Sequence, residues 1–109
     1  YSQGCPMATV YIANSNTSFE KAFLFNGYLP TTHSGLNDTI TEVAPLGVDA
    51  LIFGGDNDVF IFGVDELAGV YQEPTIIISS TADHHLPSSD DEIYGDVLAF
   101  FRQGTNEIL

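Results

Sequence analysis

Tryptophan is absent from this 109-residue chain, cysteine and methionine occur once each, and lysine and arginine together number two. Each shortage excludes something. With Cys5 alone, no disulfide can close within the chain, which leaves an inert thiol or a bridge to another chain. No run of 18 or more apolar residues occurs, so no membrane-spanning helix is expected, and no signal-peptide pattern is visible. Lys21 and Arg102 are the only strong bases. Nucleic acid is therefore excluded as a partner, because counterion release from phosphates needs many more cations. Docking on an anionic membrane is disfavoured for the same reason.

Enzyme signatures are also scarce. No G-x-S-x-G motif surrounds any serine, and neither G-x-G-x-x-G nor a phosphate-binding G-x-x-x-x-G-K-[ST] loop occurs. A base-poor chain has few cationic groups with which to stabilise an anionic transition state. The expectation is a protein that binds rather than one that catalyses.

What is present begins with fifteen acidic residues and a formal net charge of −13. Most of these carboxylates have no cationic partner within the chain. Solubility, a cationic partner, bound metal ions or a high-salt setting would each accommodate them. Hydrophobic residues make up 44%, including eight Phe and five Tyr, enough for one core in one domain. Residues 1–8 read as an N-terminal extension, a processed end or an appended leader, before a single domain over 9–109.

Short apolar runs separated by turn residues predict strands at 9–13, 21–25, 39–43, 49–53, 59–63, 74–80 and 95–102. Gly54-Gly55-Asp56-Asn57-Asp58 reads as the tip of a hairpin, and Asp65 to Val70 as a single helical turn. Six to eight short strands with little or no helix predict an all-β antiparallel sandwich or jelly roll, with a small barrel as the alternative.

Asp90, Asp91, Glu92 and Asp96 crowd four carboxylates into seven residues before the last apolar run. Calcium takes six to eight oxygen ligands, and such a loop offers them from side chains and carbonyls. Asp56 and Asp58 at the predicted hairpin tip form a second candidate metal site. His84 and His85 are adjacent and match no tetrahedral metal spacing, even with Asp83 or His33. Asn16 and Asn37 begin N-x-S/T triplets in predicted loops.

The order acidic, acidic, acidic, Tyr94, small residue, Asp96, then an aliphatic and aromatic run resembles the calcium loop of small bacterial β-sandwich lectins. The resemblance covers some twelve residues. It implies metal-ligand roles for Asp90, Glu92 and Asp96, and a sugar ligand held by calcium. Gly95 stands where that family has an Asn ligand, and the chain runs on to Leu109 where the family uses a terminal carboxylate.

The functional expectation is a non-enzymatic extracellular or cell-surface binding module, with calcium and a glycan or protein partner. Two alternatives differ in class: a self-assembling structural subunit or homo-oligomer, and an acidic inhibitor that covers a basic partner.

Overall fold

The structure, a computed structural model, describes residues 1–103. Three of the apolar runs are strands: β1 (Lys21–Phe25), β2 (Asp49–Gly55) and β3 (Thr75–Ser79). They form one sheet in the order β1-β2-β3. Both pairings are parallel, with Phe23 opposite Leu51 and Phe53 opposite Ile77. Parallel neighbours need a crossover, and helices supply both. The helices are α1 (Gly4–Asn14), α2 (Ser34–Val43), α3 (Phe62–Ala68) and α4 (Tyr94–Arg102). Helix α2 joins β1 to β2, and α3 joins β2 to β3.

The central strand explains why the sheet is parallel and covered. Every residue of β2 from Ala50 to Gly55 is buried. A strand buried on both faces reads as a continuous apolar run, the pattern of parallel sheets, whereas a one-sided strand alternates. Ala50, Ile52 and Leu24 face a core completed by Cys5, Ile40, Leu46, Val64, Leu67, Val70 and Tyr71 from the α1, α2 and α3 side. Leu51, Phe53 and Ile77 face the opposite way, onto Phe100 and the partly buried Val97 of α4. Full burial of side chains such as Ile52 and Phe53 contributes about 1.5–3 kcal/mol each.

This architecture overturns the antiparallel β-sandwich: among the described residues, four helices and three parallel strands make an α/β layered arrangement. The predicted strands at 21–25, 49–53 and 74–80 coincide with β1, β2 and β3, but the remaining four runs do not form strands. Residues 9–13 lie in α1, where Cys5 and Thr9, four apart, share the buried side. Residues 39–43 belong to α2, whose first turn is capped by the His33 ring accepting from the Leu36 N–H. Residues 59–63 cross a turn into α3, so the Asp56–Asp58 tip leads to a crossover and not back along β2. Residues 95–102 lie in α4 because Ile93, Val97 and Phe100, spaced four and three apart, present one helical face to the sheet.

Two glycines set how closely the elements approach. A methyl group on Gly27 would fall 2.2 Å from Cys5 Cβ, and one on Gly63 would fall 1.8 Å from the Gly27 carbonyl oxygen. The start of α1, the turn after β1 and the start of α3 therefore meet nearly backbone to backbone. Among the described residues, no helix is long and apolar enough to cross a membrane.

Candidate active site

Parallel strands end on the same edge of a sheet, so the segments leaving β1, β2 and β3 converge there. In open α/β sheets this carboxyl edge is where ligands bind. Two of its side chains, Asp58 and His84, together with Ser2 from the start of the chain, make the only Ser–His–Asp relay among the described residues.

Asp58 closes the turn after β2, its N–H donating to the Gly55 carbonyl at 3.0 Å. Its side chain turns inward and is 1% exposed. Oδ1 accepts the Phe60 N–H at 2.9 Å. Oδ2 lies 2.7 Å from His84 Nδ1 and accepts from Asn26 Nδ2 at 3.4 Å. Burial pushes the Asp58 carboxyl upward, but hydrogen bonds from the Phe60 amide, His84 and Asn26 outweigh it and hold the group below its ordinary range.

His84 follows β3 on the neighbouring loop. Its backbone N–H donates to Asp83 Oδ1 at 2.8 Å, and its carbonyl accepts the Tyr1 hydroxyl at 2.7 Å. The ring sits between Tyr1 and Phe60, with centroids 5.4 and 5.3 Å away. Its Nε2 lies 2.9 Å from Ser2 Oγ. The proton positions follow from Asp58: a carboxylate only accepts, so Nδ1 carries the hydrogen. In the neutral ring Nε2 is then left as an acceptor, and the Ser2 hydroxyl donates to it.

Ser2 stands on the turn that opens α1. Its φ is 51°, an uncommon left-handed conformation for a residue other than glycine. The turn is fixed on both sides: the Ser2 N–H donates to the Phe25 carbonyl at 2.9 Å, and its own carbonyl accepts the Cys5 N–H at 3.0 Å. The next amide, Gln3 N–H, has no hydrogen-bond partner among the described residues. It is an orphan donor at the N-terminus of an eleven-residue helix, adjacent to the hydroxyl that faces the imidazole.

The arrangement contains the parts of an acyl-transfer centre. A hydroxyl is hydrogen-bonded to an imidazole, the imidazole meets a buried carboxylate, and the Gln3 amide follows the hydroxyl-bearing residue in sequence. Aromatic side chains surround it: Tyr28 contacts Phe60 at 5.3 Å between centroids, and Phe60 contacts Phe62 at 6.1 Å. Phe60 and Phe62 remain substantially exposed. A separate apolar groove of about 720 Å³, lined by Pro6, Met7, Val10, Tyr11 and Leu36, runs along α1 and contains none of the relay residues.

The acidic residues singled out from the sequence are dispersed. Among the described residues, no three His, Cys, Asp or Glu side chains converge as a metal site would require. Asp90, Glu92 and Asp96 are exposed, and Asp96 occupies the first turn of α4. Asp91 accepts the buried Ser79 hydroxyl and, at Oδ1, the Ile93 N–H at 3.1 Å. The Ser79 hydroxyl is the main cause holding its carboxyl below the ordinary range. Asp56 is exposed, whereas its near neighbour Asp58 is buried against His84. His85 Nδ1 faces the Leu86 carbonyl at 2.9 Å. Cys5 is buried, which pushes its thiol upward, and Asn37 lies within α2 instead of a loop.

Sequence reasoning passed over Ser2 and gave His84 no role. The signal was partial: Ser2-Gln3-Gly4 satisfies the last three positions of G-x-S-x-G, but the first glycine position falls before residue 1. The second signal was the order serine, aspartate, histidine along the chain. The chain matches no family model and no curated protein sequence.

Proposed function

We propose that this protein is a serine hydrolase acting on neutral, apolar esters, with Ser2 as nucleophile, His84 as general base and acid, and Asp58 as the residue that orients the imidazole. The observation that carries this reading is the continuous chain of contacts from Ser2 Oγ through His84 to Asp58, at 2.9 and 2.7 Å. Such a relay is recognised by geometry and roles and not by sequence position. By analogy, α/β-hydrolases also run nucleophile, acid, histidine along the chain, with the serine on a sharp turn into a helix.

In the reaction, Ser2 Oγ attacks the ester carbonyl carbon as its proton passes to His84 Nε2. Asp58 Oδ2 stabilises the imidazolium through Nδ1–H. The carbonyl oxygen becomes an oxyanion, to which the Gln3 N–H donates. Collapse breaks the bond to the leaving alcohol, which takes the proton from Nε2. Water then attacks the acyl-Ser2 carbonyl by the same route, returning the serine and releasing the acid.

The surroundings point to the substrate class. Tyr28, Phe60 and Phe62 offer aromatic faces beside the relay, suited to acyl or alcohol groups without charge. Fifteen carboxylates against two strong bases repel anionic substrates. Among the described residues, Asp90, Asp91, Glu92 and Asp96 form no group of three converging ligands, so the calcium and glycan reading has less geometric support than the relay.

The test is hydrolysis of p-nitrophenyl esters. Wild type should cleave the butyrate ester, Ser2→Ala should fall to the background rate, and a succinate half-ester should be cleaved much more slowly than the butyrate. Equal rates for wild type and Ser2→Ala would exclude the proposal.

A further inference from the structure

We infer that Asn26 is a positioning residue that registers the acid of the relay against the base, an assignment that rests on the hydrolase reading above. Asn26 follows β1, and its backbone N–H donates to the Phe53 carbonyl at 2.9 Å, continuing the β1–β2 pairing by one step. The chain then turns sharply, with φ at 56°, a conformation asparagine tolerates better than most residues. That turn sends the side chain under the two neighbouring loops, where it is 2% exposed.

The amide nitrogen has two hydrogens and uses both. One goes to Asp58 Oδ2 at 3.4 Å and the other to the Asp83 carbonyl at 3.2 Å. Asp58 Oδ2 is the oxygen that meets His84 Nδ1, and the Asp83 carbonyl belongs to the peptide immediately before His84. One NH₂ group thus touches the carboxylate on the loop after β2 and the backbone carrying the imidazole on the loop after β3. With Oδ1 taken by the Phe60 N–H, the Asn26 bond holds the carboxylate rotated so that Oδ2 faces the ring.

The other end of the amide argues against a packing role alone. Asn26 Oδ1 is buried and has no hydrogen-bond partner among the described residues. An unpartnered buried acceptor destabilises the fold, so glycine, which adopts the same positive φ without strain, would serve the turn better. What only the amide supplies here is its pair of donors. The charged and titratable groups around this point are Asp58, Asp83, His84, His85 and the Tyr1 phenol.

Two variants of the full chain test the assignment. Asn26→Gly keeps the freedom for positive φ and removes both donors. Asn26→Asp keeps the shape and places acceptors where donors stood. The direct readout is the low-field proton resonance of the His84 Nδ1–H in chain labelled with ¹⁵N-histidine, followed with the thermal midpoint and with kcat and KM on the butyrate ester. In Asn26→Gly the resonance should be lost to exchange, and kcat should fall roughly 10- to 100-fold, as for other misplacements of reacting groups. KM should stay within about twofold of wild type, since substrate contacts are untouched. A folded Asn26→Gly with the resonance and kcat of wild type would overturn the inference. If that variant does not fold, a folded Asn26→Asp that retains the resonance overturns it equally. Failure of the hydrolase reading is separable. A wild type without esterase activity whose resonance is present, and is lost in Asn26→Gly, refutes the hydrolase and leaves Asn26 as the residue that positions Asp58.

Discussion

Replacing Asp58 by asparagine should remove nearly all activity without removing the fold, and the reason lies in the hydrogen bonds around one side chain. Oδ1 of Asp58 accepts the Phe60 N–H, while Oδ2 meets His84 Nδ1 and Asn26 Nδ2. An asparagine has one acceptor end, and the fixed backbone amide of Phe60 claims it. Its NH₂ end then confronts His84 Nδ1 and the NH₂ of Asn26, donor against donor. The imidazole resolves the conflict by moving its proton to Nε2, and Nε2–H now points at Ser2 Oγ. In that tautomer the ring cannot accept the serine proton. The corresponding substitution in a serine protease, an unrelated protein, lowers kcat about 10⁴-fold. The same loss here corresponds to about 5.5 kcal/mol of transition-state stabilisation. The assay is pre-steady-state hydrolysis of p-nitrophenyl butyrate, with circular dichroism to establish that the variant is folded. A folded Asp58→Asn within tenfold of wild type would refute the relay, because the tautomer argument leaves no route to so small an effect.

Other expectations follow from neighbouring contacts. Tyr1→Phe deletes the hydroxyl bond to the His84 carbonyl; a neutral hydrogen bond contributes about 0.5–1.5 kcal/mol, so stopped-flow assays should show kcat lowered several-fold with KM unchanged. Asp58 is held below its ordinary range in the folded chain, so its contribution to stability is present above the unfolded carboxylate pKa and lost as pH falls through the folded value. Urea midpoints of wild type and Asp58→Asn should therefore differ at pH 6, and the difference should shrink as the pH falls through the range below about 4. Gly63→Ala would press a methyl group onto the Gly27 carbonyl, and such overpacking costs roughly 1–3 kcal/mol, readable as a lowered urea midpoint. Calcium at millimolar level, then chelator, should leave the thermal midpoint unmoved, since the acidic residues of 90–96 do not converge; a calcium-dependent rise would restore a metal role to Asp90, Glu92 and Asp96.

Part of this structure is written locally in the sequence, and part is not. Runs of β-branched and aromatic residues located β1, β2 and β3 closely, because their neighbours in sequence already carry strand and turn preferences. Their direction was not legible. A turn such as Gly54 to Asp58 serves a hairpin and a strand-to-helix crossover equally well, and only the continuous burial of β2 distinguishes a covered parallel strand. Val97 and Phe100 favour a strand by residue type, although with Ile93 their spacing fits one helical face. The relay was still less legible. Ser2, Asp58 and His84 lie 56 and 26 residues apart along the chain, and nothing local ties them together. Density of charge drew attention to Asp90–Asp96, whereas the carboxylate that the fold buries, Asp58, stands among turn residues whose type is explained by the turn alone.

The central claim is that Ser2 is an activated nucleophile, and covalent labelling tests it most directly. A fluorophosphonate reacts readily with a serine hydroxyl whose proton is taken by a neighbouring base, forming a phosphonate ester as fluoride departs and the proton leaves with it as HF. Intact mass of the wild-type chain should rise by one probe per molecule, and peptide mapping should place the adduct on Ser2. The Ser2→Ala chain should gain no mass. An unlabelled wild type, or an adduct on another residue, would contradict the account.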